Sequence, residues 1–167
     1  MRPARATLLG LALVLGIGSA PASAEPMVLD AVLSTQEDIS LAFKDDSRHF
    51  VVLLRREGSA SGDGVFKDAK VVEFGMHDVT RGEDAKASGY IEATTTAGDI
   101  AYFRWRLRAF FVSGPDGQVK PINSGYWELS GGTGPFATLR GVGTLLIEFL
   151  NKTERRYLLE GDLSPAP

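Results

Sequence analysis

The chain has 167 residues, 18 basic and 21 acidic, and no cysteine. That length suits one domain with a proper core. The absent thiols exclude disulfides, a cysteine nucleophile and a lipid-anchoring cysteine, and the acidic balance argues against nucleic acid as a partner.

Met1 to Ala24 reads as a secretory signal. Arg2 and Arg5 form its charged start, Leu8 to Ile17 its apolar centre, and Ala22-Ser23-Ala24 its small-residue cleavage site. The apolar run is too short for a membrane span. Removing Arg2 and Arg5 leaves 16 basic against 21 acidic residues, a formal charge of −5. The expectation is a signal over 1–24 and a single periplasmic or secreted domain over 25–167.

The domain opens with a short apolar run in Pro26 to Val32. Ile39 to Phe43 predicts a short strand with Ile39, Leu41 and Phe43 on one face. Lys44 to Arg48 predicts a turn. Phe50 to Leu54 is continuously apolar, the pattern of a strand covered on both sides. Gly58 to Gly64 reads as a flexible loop. Val71 to Val79 alternates, with Val72, Phe74 and Met76 on one face and Glu73 and His77 on the other. Ala87 to Thr95 alternates again.

Ala101 to Phe111 is the clearest strand. Its odd positions from Ala101 through Phe111 are all apolar, while Tyr102, Arg104, Arg106, Arg108 and Phe110 share the other face. Gly114-Pro115-Asp116-Gly117 predicts a turn. Tyr126 to Leu129 leads into a glycine-rich corner, Val142 to Leu150 is a long strand carrying Leu145, Ile147 and Phe149 on one side, and Arg155 to Glu160 is the last. Many short strands punctuated by turns predict an all-β fold, a barrel or a sandwich.

The corner is Gly131-Gly132-Thr133-Gly134-Pro135-Phe136, followed by Gly141 and Gly143 on one strand face. It reads as a compact turn with Phe136 as a plug. It lacks the Lys-Ser/Thr ending and the helix of a phosphate loop. The run Gly-Gly-Thr-Gly-x-Phe-Ala-x-x-x-Gly-x-Gly-Thr resembles the signature of the allene oxide cyclase/dirigent-like β-barrel superfamily. Gly89-Tyr90-Ile91 and Gly98-Asp99-Ile100 resemble that family's middle strands. The resemblance covers about Asp84 to Phe149 and suggests a bacterial exported member. It implies a single eight-stranded antiparallel barrel with a cavity, often assembled as dimers or trimers. No catalytic residue of the family can be matched, so none is carried over.

Phe74, Phe103, Trp105 and Ile147 are the expected cavity-lining residues. Tyr102, Arg104, Arg106 and Arg108 form the expected outer face, a candidate interface. His77 is the best single acid–base candidate. It shares a face with Glu73, but strand rise separates the two by about 13 Å. Glu92 and Glu128 sit mid-strand, where a barrel can aim a carboxylate inward. His49 has no second histidine at metal spacing, so neither a metal nor another cofactor is expected. The functional expectation is a barrel that binds a small apolar ligand or a partner. The alternatives are an isomerase or cyclase acting on a hydrophobic substrate, and a structural or assembly role.

Overall fold

The computed structural model describes residues 24–166. The expected signal lies outside them except for Ala24. Eight strands follow one another in chain order: β1 (Glu25–Ala42), β2 (His49–Ser61), β3 (Lys70–Thr80), β4 (Asp84–Thr94), β5 (Ile100–Ser113), β6 (Val119–Gly132), β7 (Leu139–Phe149) and β8 (Glu154–Pro165). Each pairs antiparallel with its neighbours, and β1 pairs with β8, so the sheet closes into a barrel. Closure leaves no free edge.

The strands outrun the sequence pattern. The runs Pro26–Val32 and Ile39–Phe43, expected separately, belong to one strand up to Ala42. The register with β2 jumps between Thr35 and Glu37. One extra residue in a strand flips the faces beyond it. Leu29, Ala31 and Leu33 therefore point into the core, while Ile39 and Leu41 are exposed. Phe50 to Leu54 is not covered on both sides, since Leu53 faces out. Much of the expected Gly58–Gly64 loop is strand, continuing to Ser61.

The two ends of the barrel differ. At the end holding the β6–β7 corner, Phe136 from a 3-10 turn (Gly134–Thr138) and Phe66 from the β2–β3 loop are buried together. Phe66 stacks on Phe136 at 5.4 Å and meets Phe103 edge-on at 5.5 Å, and Phe103 meets Trp127 edge-on at 5.3 Å. This aromatic stack plugs that end. The corner spends its own polar groups: the Ile100 amide donates to Thr133 Oγ1 and the Phe136 amide to the Thr133 carbonyl. The opposite end, where β1 meets β2, β3 meets β4, β5 meets β6 and β7 meets β8, stays open.

Candidate functional site

Five strands aim polar side chains into the barrel beneath its open end. Arg56 on β2 and Glu73 on β3 are direct cross-strand partners, so their side chains lie side by side on the inner face. Arg56 Nη1 donates to Glu73 Oε2 at 3.2 Å and to the Tyr157 hydroxyl of β8 at 2.7 Å, and its Nε donates to Thr35 Oγ1 of β1 at 3.3 Å. Glu73 is fully buried and Arg56 nearly so. A charge buried this deep persists only where it is paired.

Glu73 turns its other oxygen, Oε1, towards His77 Nε2 at 4.0 Å. Neither atom has a hydrogen-bond partner among the described residues, and nor does the nearby indole nitrogen of Trp105 on β5. The His77 and Trp105 rings lie 5.9 Å apart. The electrostatics are inverted. Burial pushes the Glu73 carboxyl up to about 7 despite the pull of Arg56. Burial, and then the charges of Arg56 and Arg155, push His77 down to about 4. Burial and the Glu73 charge raise the Tyr157 phenol. Near neutral pH the imidazole is therefore uncharged, while the carboxyl sits at its titration point.

Above this cluster opens a cavity of about 380 Å³. Phe50, Val52, Leu107, Phe111, Ile147 and Phe149 are among its walls, and Arg56, His77, Asn123 and Arg155 are its polar groups. The small side chains of Ala85, Ala87 and Ala109 leave the room. Glu73 lies behind Arg56 and His77, out of reach of solvent.

The expected site residues divide. Ile147 lines the cavity, and Trp105 and Phe103 are buried beneath it. Phe74 is a correction: it is 51% exposed and points outward, beside Ile39, Leu53 and Met76 in a shallow outer groove. The two faces of β3 are both partly apolar, and the face bearing Glu73 and His77 is the inner one. Tyr102, Arg104, Arg106 and Arg108 lie on the outer face of β5. There Arg104 pairs with Glu128 at 2.8 Å and Arg108 with Asp84 at 3.2 Å. Glu128 therefore faces out, and Glu92 lies on the same side of the wall as Tyr90 and Tyr102. Among the described residues the buried inward carboxylate is Glu73. His49 stacks on Phe43 and bonds Asp78 at the rim.

Arg56, Arg155 and Tyr157 were not singled out by sequence reasoning. One signal in the sequence marks this face without naming those partners: Gly75, a strand-interior glycine between Glu73 and His77, of the kind that allows a close approach.

No protein-family model matches the chain, and no curated protein matches it. Solved structures are similar to it, two of them as follows. A β-barrel-like protein from Acinetobacter baumannii AYE has a TM-score of 0.57 at 12% identity, over 88% of this chain and 99% of that one. The pterocarpan synthase dirigent protein GePTS1 has a TM-score of 0.52 at 12% identity, over 96% of this chain and 100% of that one. At such identities the likeness is one of fold: the chain is a closed eight-stranded antiparallel barrel, the architecture it shares with these two proteins.

Proposed function

We propose that this protein binds a small, largely apolar molecule in the open mouth of its barrel. The observation that carries the reading is a cavity of about 380 Å³, closed below by packed aromatic rings and walled by aliphatic and aromatic side chains. Eight-stranded barrels are just wide enough to be filled by side chains or to hold one small ligand. Here alanines on β4 and β5 keep the upper half unfilled. The fold, shared with a dirigent protein described as a pterocarpan synthase, supports a role in handling small molecules. The test is extraction of the protein purified from its host. A small organic molecule recovered in near-stoichiometric amount supports the reading, and protein that neither yields one nor takes up apolar probes overturns it.

One observation favours a second reading, an isomerase or cyclase acting on a hydrophobic substrate. Glu73 and His77 form a proton-holding pair at the cavity floor, with affinities reversed from their ordinary order. This reading requires the wild type, and not His77→Gln, to convert the recovered molecule.

Export to the periplasm or beyond remains part of the proposal, on the strength of the leader pattern, and mass spectrometry of exported protein should find Glu25 at its start. So does self-association. Phe74, Met76, Leu53 and Ile39 form an outer apolar patch beside the β5 arginine face, and light scattering should read a multiple of the monomer mass.

A further inference from the structure

We propose that the ligand of this cavity is an organic anion, an apolar body carrying one carboxylate or sulfonate head, with the head held by Arg155 and Arg56. The inference rests on the cavity being a binding site and adds the chemistry of what enters it.

The arginines of the barrel differ in their partners. Four on the outer wall have carboxylates: Arg55 has Glu37 and Glu57, Arg104 has Glu128, Arg108 has Asp84, and Arg156 has Asp30 at 2.7 Å and Glu148 at 3.0 Å. Arg106, also outside, has none among the described residues, but it faces open solvent rather than the barrel cavity. Arg155 faces inward and has no carboxylate partner among the described residues. Its Nη1 donates to the carbonyls of Asn151 at 2.6 Å and Glu154 at 2.8 Å, and its guanidinium lies over the Phe149 ring at 4.0 Å. These contacts fix the group at the cavity wall and leave Nη2 and Nε free to donate. A fixed guanidinium fork suits a carboxylate or sulfonate.

The rest of the cavity agrees. Its other polar groups are Arg56, His77 and Asn123, and it displays no acidic side chain. The one carboxyl nearby, Glu73, is turned away behind Arg56 and is shared with it. Arg155 and Arg56 repel each other, which lowers the proton affinity of Arg155 beyond the effect of burial. Two like charges facing one half-enclosed space are unfavourable alone and are relieved by an anion between them. The apolar walls then take the body of the ligand.

Calorimetric titration with three matched probes tests this: 2-naphthoate, 2-naphthylmethanol and 2-naphthylmethylammonium, on the whole protein at neutral pH. The anion should bind about tenfold or more tighter than the alcohol, and the cation weakest, as expected for a charge-assisted bidentate contact. Arg155→Gln should remove most of that advantage, bringing the affinity for the anion down to about that for the alcohol. Equal binding of anion and alcohol, or preference for the cation, overturns the anion proposal while the apolar-ligand reading stands. Failure of all three to bind overturns both. If Arg155→Gln does not fold, the ranking of the three probes on the wild type still decides.

Discussion

Glu73 Oε1 and His77 Nε2 approach to 4.0 Å although they are four residues apart on one extended strand. Strand rise alone sets their backbones about 13 Å apart. The side chains lean together over Gly75, whose missing Cβ leaves the space that the carboxylate occupies.

That contact makes Gly75→Ala a direct test. A Cβ there would overlap Glu73 Oε1 and come within 3.1 Å of Trp105 Cζ2. The carboxylate is buried and tied to Arg56, so it has no free route of retreat. We expect a loss of about 1–3 kcal/mol, the usual range for overpacking. A denaturant melt superimposable on wild type would show that the carboxylate does not lie over Gly75.

The same pair governs the pH dependence of stability. Glu73 titrates at about 7 in the folded chain against an ordinary 4.5, so its contribution is full below 4.5 and is lost as pH rises through 7. His77 titrates at about 4 against an ordinary 6.5, so its contribution is present above 6.5 and is lost as pH falls through 4. The two slopes oppose each other and nearly cancel over the shared window. Single variants should unmask them. In Glu73→Gln, stability should climb as pH rises from about 4 to about 6.5; in His77→Gln it should fall from about 4.5 to about 7. Each swing amounts to about 3 kcal/mol. Melting curves of both variants that run parallel to wild type across this range would refute the inverted pair.

The barrel was legible because β5 carries its inside and outside in its sequence: Phe103, Trp105 and Leu107 are buried, and the arginines between them face out. The corner was legible for a similar reason, since Phe136 had to be covered. The site was harder to read. On β3, Val72, Phe74 and Met76 look more like a core face than Val71, Glu73, Gly75, His77 and Val79 do. Hydrophobic alternation assigns the interior to the greasier face, and here the polar face is inside because Arg56, itself bonded to the Tyr157 hydroxyl, pairs with Glu73 Oε2. Those partners are 17 and 84 residues away from it in the chain. Periodicity within one strand carries no information about them. The bulge before Glu37 is hidden likewise, because Ile39 and Leu41 keep their alternation while changing sides.

Trp127 supplies a test of the packing below the cavity. Its indole nitrogen donates to the Glu160 carbonyl at 3.2 Å. The ring lies against the backbone of β7 and β8, where a Cβ on Gly143 would meet Trp127 Nε1 at 2.6 Å and Cε2 at 2.7 Å. Gly143→Val must displace either the ring or the strand. We expect a loss of about 1–3 kcal/mol or more, with a shift in tryptophan fluorescence as the indole leaves its site. Wild-type stability and emission would mean that the glycine serves no packing purpose.

Ala87 decides whether the cavity is the working part of the molecule. It lies on the inner face of β4, paired with His77 on β3 and Leu107 on β5, both of which line the same space. Its side chain belongs to the buried core cluster and also borders the open volume of the cavity. A large residue placed there grows into the mouth without displacing the aromatic plug. Ala87→Trp should therefore fold, with a melt within about 1 kcal/mol of wild type, since added apolar surface is buried and little has to move. It should also lose the recovered ligand and the binding of 2-naphthoate. Retention of both by the folded variant would place the ligand elsewhere, on the outer wall. Loss of both with stability intact would locate binding in the mouth, above Arg56 and His77.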